Sequence, residues 1–207
     1  MLRAILLQKN NNHWSVVKMK KSIFLLAFLF FAVIVDAQDN KPFSISIGYE
    51  GGVPSDTYSM HSDYGSGGMA SIEVNNGMDN FQIVLTTGYM SFSGNAPVDF
   101  VIGGVNARTS IISVLLGGKY FLTWKSTKVY GQLNLGYYHF EFDPLVSMSY
   151  NEGRVTDSNI GISPVLGLQV KTNEHLWIDG HVNYTDVIIL HSYSNWFGIG
   201  VGLVYDL

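Results

Sequence analysis

The chain has 207 residues, a formal net charge of −4 and no cysteine, and charged residues make up 14% of it, no more than the aromatics. That length suits one domain, and the charge balance gives a nucleic acid no basic footprint to bind. The missing cysteine excludes disulfides, thiolate metal sites, a Cys nucleophile and a lipidated Cys anchor. With 22 glycines, 5 prolines and few charges, the composition is unlike that of a water-exposed globule.

From the N-terminus, the first clear element is a secretory signal. Lys20 and Lys21 precede an apolar run from Ile23 to Val35, and Val35-Asp36-Ala37 supplies the small residue before a cleavage site. The run is too short for the roughly 20 residues of a spanning helix. Cleavage after Ala37 is expected, with a mature chain from Gln38. The polar stretch before Met19 sets the basic start far from the terminus, so translation is expected to begin at Met19. The chain thus divides into residues 1–37, an extension and signal peptide, and residues 38–207, the folded domain.

From Phe43 onward the pattern has period two, the mark of strands with two different faces. Phe43, Ile45, Ile47 and Tyr49 oppose Ser44, Ser46, Gly48 and Glu50; Ala70, Ile72 and Val74 oppose Met69, Ser71 and Glu73. Phe81, Ile83, Leu85 and Tyr89 oppose Gln82, Val84, Thr86 and Gly88, and Ile112, Val114, Leu116 and Tyr120 oppose Ser113, Gly117 and Lys119. The fifth strand sets Val129, Leu133, Leu135 and Tyr137 against Gln132, Asn134 and Gly136; the sixth sets Ile160, Ile162, Leu166, Leu168 and Val170 against Gly161, Ser163, Gly167 and Gln169. Leu176, Ile178, Val182 and Tyr184 oppose Trp177, Asp179, His181 and Asn183, and the last strand sets Phe197, Ile199, Val201, Leu203 and Tyr205 against Trp196, Gly198, Gly200 and Gly202. Long connections are expected at Pro54 to Gly67, Gly94 to Arg108, Asp143 to Asp157 and Asp186 to Ser194. Short ones fall at Asn75 to Asp79, Trp124 to Thr127 and Thr172 to Glu174. This rhythm places every long loop at one end of an all-β, eight-stranded antiparallel up-and-down barrel, the arrangement of transmembrane barrels with long extracellular loops and short periplasmic turns.

Alternation alone also fits a soluble barrel with an apolar interior. The second face decides, because it carries Gly, Ser, Thr, Asn and Gln with scattered charges, whereas a water-facing surface is rich in Lys and Glu. The apolar stripes end in aromatics, and Phe81 to Tyr89 or Phe197 to Tyr205 is about eight residues, or roughly 20 Å along the membrane normal at ~3.3 Å per residue and ~40° tilt. That approaches the ~25 Å apolar band of outer-membrane barrels, edged by aromatic girdles. The expected girdle residues are Phe43, Tyr49, Phe81, Tyr89, Tyr120, Tyr137, Tyr184, Phe197 and Tyr205. Glu50, Glu73, Lys119, Gln132, Asn134, Gln169, Lys171, Asp179, His181 and Asn183 are then expected in a lumen narrow enough to be filled by side chains. There they form a polar plug or, in the alternative, line a conduction path. Lys119 is expected to meet Glu73 or Asp179.

The end of the chain, Gly202-Leu203-Val204-Tyr205-Asp206-Leu207, together with the strand pattern from Phe43 onward, resembles the small outer-membrane barrels of Gram-negative bacteria, the porin-family group that includes OmpX and the membrane domain of OmpA. The resemblance implies that Gly202, Tyr205 and Leu207 form a terminal signal read by the barrel-assembly machinery, with Leu207 where relatives carry Phe or Trp. It implies a place in the outer membrane and contact with its lipid and lipopolysaccharide, in a group that spans structural, adhesive and transport roles; an extracellular ligand at the loops is the further partner expected.

No metal or cofactor motif is present: the histidines are scattered, and Gly65-Ser66-Gly67-Gly68 precedes a strand where a phosphate loop would open a helix. His191 and Ser194 are the one pair reminiscent of outer-membrane lipid A deacylases, which carry a His and a Ser two residues apart on one strand face. Three residues apart, they point to opposite faces of a strand. The expected function is a non-enzymatic structural or surface-binding role. The alternatives are a narrow pore for small or hydrophobic solutes and a lipid A-modifying enzyme. Tyr58, His61, Tyr64, Phe100, Arg108, Tyr150 and Arg154 are the loop residues expected to be available for recognition.

Overall fold

The computed structural model describes residues 43–55, 64–75, 80–95, 106–144, 155–189 and 192–207. Eight strands, β1 (Phe43–Ser55), β2 (Gly65–Asn75), β3 (Phe81–Asn95), β4 (Asn106–Trp124), β5 (Thr127–Pro144), β6 (Val155–Lys171), β7 (Leu176–Ile189) and β8 (Ser192–Asp206), pair in chain order as an antiparallel meander. β8 returns to β1, in register from Ser44↔Asp206 to Ser55↔Asn195, so the sheet closes on itself and leaves no edge within the membrane.

The period-two pattern produces this shape because each strand must present one row of side chains to lipid and the other to the lumen. Ile47, Leu135 and Val201 lie outward and are 61%, 56% and 62% exposed, whereas Glu50, Asn134 and Trp196 on the alternate rows are buried. Val74 departs from its outward row. It is buried between Phe43 and Ile83, its partners on the two neighbouring strands. Pro164 interrupts the β6–β7 ladder, since it has no N–H to donate, and a hydrogen bond between the Ser163 and Thr185 hydroxyls at 3.0 Å ties the strands there. Burying an arginine on the lipid row is the direct check on this orientation. Leu135→Arg should lower refolding stability in lipid vesicles by about 2–4 kcal/mol, measured by urea titration, and a cost equal to that of arginine at exposed Thr172 would contradict the outward placement.

The expected short connection Trp124 to Thr127 is a two-residue turn with Trp124 paired to Thr127, and Lys125 adopts a positive φ of 55°. That conformation is the one a primed hairpin turn requires, and it favours glycine. The fourth long connection is a correction: β7 continues to Ile189 and pairs with Ser192, so most of the stretch from Asp186 to Ser194 is strand. Its serines and tyrosine resemble a loop in composition, but cross-strand pairing continues through them. Arg108 is likewise strand, on β4 and exposed, with its Nε donating to Ser91 Oγ at 2.8 Å. Tyr64 is exposed, and Tyr58, His61, Phe100, Tyr150 and Arg154 lie outside the described residues.

Aromatics expected at the stripe ends lie on outward rows. Phe81 and Tyr120 pair across β3–β4 at the end of the short turns, where Tyr205 stacks on His175 at 5.8 Å and Phe43 opens β1. Tyr184 and Phe197 meet at 4.8 Å toward the other end, with Tyr49, Tyr89 and Tyr137 on the same side. Trp124, beside the Lys125 turn, is 77% exposed.

Candidate functional site

The lumen is where polar side chains converge. Its lower half holds a chain of contacts that passes from strand to strand almost around the wall. Lys119 on β4 donates to Glu73 Oε1 on β2 at 2.8 Å, with both side chains buried, so Glu73 is the partner of the two carboxylates considered. The same ammonium lies 4.3 Å from the centre of the Tyr130 ring on β5. Tyr130 donates its hydroxyl to Asp179 Oδ2 on β7 at 3.2 Å, and that oxygen is also 2.8 Å from His181 Nδ1. His181 Nε2 faces Glu50 Oε2 on β1 at 3.9 Å, and Asn183 Nδ2 donates to Glu50 Oε1 at 3.0 Å.

Small residues make room for these reaches over intervening strands. A Cβ at Gly167 would collide with the Tyr130 ring, and one at Gly200 with the His181 imidazole. Buried charges are tolerable only when paired and hydrogen-bonded; Lys119, Glu73, Asp179 and Glu50 each have such a partner here, while Asp179 Oδ1 and Asn183 Oδ1 have none. Gln132 donates to Asn134 Oδ1 at 2.7 Å, while buried Gln169 lies between Lys128 and Asp179 in register.

Lys171 corrects the expected set. It stands exposed at the lower end of β6, 5.6 Å from the Trp177 ring, outside the buried network. Its strand row points inward, but at the last residue of a strand an inward row opens to the mouth. Lys128 takes the position below the network, 4.1 Å from Trp177, whose Nε1 donates to Asp206 Oδ2 at 2.9 Å.

The upper half of the lumen holds an apolar cluster that alternation along single strands does not reveal. Met90, Phe92, Ile111, Leu115, Tyr138, Phe140, Val187 and Trp196 form one buried cluster. Trp196 is its hub, edge-on to Phe92 and to Tyr138 at 5.8 Å each. The signal was present in the sequence, since all eight fall on the inward rows. The glycines and polar residues beside them obscured it. Between this aromatic cluster and the Lys119–Tyr130 level lies a cavity of about 100 Å³ lined by Glu50, Asp179, His181 and Trp196, room for several waters at roughly 10–15 Å³ each.

Among the described residues no group of three or more His, Asp or Glu side chains is placed to hold a metal ion. Ser194 is buried on the inward row at the upper end of β8, His191 lies outside the described residues, and Asp206 sits at the opposite end of the barrel.

Comparison with known proteins agrees with this geometry. The family model "Outer membrane protein beta-barrel domain" matches residues 23–206. Among solved structures, OprG of Pseudomonas aeruginosa superposes with a TM-score of 0.61 at 14% identity, covering 81% of this chain and 96% of that one. Ail of Yersinia pestis, in complex with the heparin analogue sucrose octasulfate, gives 0.56 at 15% identity over 81% of this chain and 99% of that one. Neisserial surface protein A gives 0.54 at 11% identity over 79% and 96%. Identities this low speak to the fold, and no curated protein matches the sequence. The chain belongs to the outer-membrane β-barrel domain family and is a protein of the bacterial outer membrane.

Proposed function

We propose that this barrel is a non-enzymatic membrane scaffold that acts at the cell surface, with a lumen closed to solutes. The supporting observation is that the lumen is filled at two levels by different chemistry. A paired polar network lies below and the Trp196 aromatic cluster above, with a cavity of only about 100 Å³ between them. Recognition is then left to the outer rim and loops. Above Tyr89 and Tyr137 the outward rows of β3 to β6 turn polar, with Ser91, Ser110, Arg108, His139 and Ser158 hydrogen-bonded to one another in pairs or to Tyr89. Lipid and lipopolysaccharide surround the apolar band in this reading, and an extracellular ligand is met above it. The mature protein begins at Gln38 and is inserted by the barrel-assembly machinery through the Gly202, Tyr205 and Leu207 signal.

A deletion strain tests the reading. It should take up small solutes at the parental rate and lose surface adhesion, and plasmid-borne protein should restore adhesion. Slowed uptake with unchanged adhesion would favour the pore.

A further inference from the structure

Seven of the eight strand pairings are between neighbours in the chain; the eighth, β1 with β8, joins strands from opposite ends of the meander. At its two ends this seam has direct ties. Ser44 donates to Asp206 Oδ1 at 2.6 Å, Leu207 N–H to the Phe43 carbonyl at 2.7 Å, and Ser55 to Asn195 Oδ1 at 2.5 Å. In the middle, β8 presents Gly198, Gly200 and Gly202 to the lumen and has no side chain with which to hold β1.

We infer that Glu50, Asn183 and His181 form a clasp that locks the closing seam of the barrel, with β7 reaching over the glycines of β8 to grip β1. The geometry is specific to that use. Asn183 and His181 approach the two oxygens of Glu50 from two strands away, at 3.0 and 3.9 Å. A Cβ at Gly198 would collide with both Asn183 Oδ1 and Glu50 Oε1, and a Cβ at Gly200 with the His181 ring, so the glycines are the slot through which the clasp passes. Glu50 and His181 side chains are both 6% exposed, so the Asn183–Glu50 hydrogen bond and the Glu50–His181 contact lie largely out of bulk water, where a hydrogen bond to a charged group is strong and losing it costs most. Asp179 holds the far nitrogen of the imidazole at 2.8 Å and is itself held by Tyr130, which fixes the ring over the slot. Once the clasp is closed, β8 is trapped between β7 and β1 and cannot leave without breaking it.

Amide hydrogen exchange of the full mature protein in phospholipid nanodiscs, read by mass spectrometry, tests this. Glu50→Ala on β1 and Asn183→Ala on β7 should each speed exchange across the β1–β8 pairing by roughly ten- to a hundredfold, while β3 to β5 keep parental rates. Two substitutions on different strands then leave one footprint. Glu50→Gln, which keeps an acceptor for Asn183, should recover most of the protection. Thr86→Ala is the control, since it removes the buried Ser71–Thr86 hydroxyl pair at 2.9 Å across β2–β3 and should leave the β1–β8 pairing at its parental rate. If Glu50→Ala does not fold, Gly200→Ala displaces His181 from the slot and should give the same seam-limited pattern. In Asn183→Ala, acceleration that stops at β6, β7 and β8 with β1 at its parental rate would overturn the clasp, and so would acceleration in either variant that is spread evenly over all strands or absent.

Discussion

Lys119→Met should destabilise the barrel by about 3–5 kcal/mol, because it strands the Glu73 carboxylate, whose side chain is only 3% exposed, without its cation. Two further consequences follow from the surroundings. The ammonium also sits over Tyr130 and Phe121, at 4.3 and 5.2 Å, so the methionine keeps part of the packing while losing the charge. Glu73→Leu combined with Lys119→Met removes both charges and should recover much of the loss, which distinguishes an unpaired-charge penalty from a cavity. Urea-unfolding midpoints of the two single variants and the double variant in lipid vesicles form the cycle. Additive losses would show that the pair is not coupled.

Trp196→Ala should cost about 3–5 kcal/mol, the range for deleting a large aromatic from a packed core. The side chain is 3% exposed and makes edge contacts with Phe92 and Tyr138, so its removal leaves both rings without their common neighbour. Trp196→Phe keeps an aromatic ring at the same position and should lose less than half as much. Unfolding followed by the slower gel mobility of the denatured form measures both. A loss below about 1 kcal/mol for the alanine variant would place the stability of the upper barrel elsewhere.

These two effects sit in halves of the lumen that were unequally legible. Period two and the stripe-end aromatics were sufficient for the barrel, its strand count and the outward rows, because lipid imposes a chemical contrast on every strand. Lys119, Glu73, Asp179 and His181 stood out for a related reason, as charges on inward rows. The aromatic cluster did not stand out. Phe92, Ile111, Phe140 and Trp196 come from β3, β4, β5 and β8, and only the register brings them together. Tyr130 and Lys128 were missed in the same way, since each matters through a partner on another strand, Asp179 for one and Trp177 for the other. Strand ends were the weakest point of pattern reading. The inward row of Lys171 opens at the mouth, and the polar residues after Asp186 still pair as strand, because neither burial nor pairing at an end follows from alternation.

Conductance of the purified mature protein in a planar bilayer tests the central claim most directly. A lumen sealed by the Lys119 network and the Trp196 cluster should give no steady current above that of the protein-free bilayer, since open aqueous channels of this architecture need about sixteen strands. A large, stable conductance that falls when Lys119 or Asp179 is replaced would contradict it, and would make the lumen the working part of the protein.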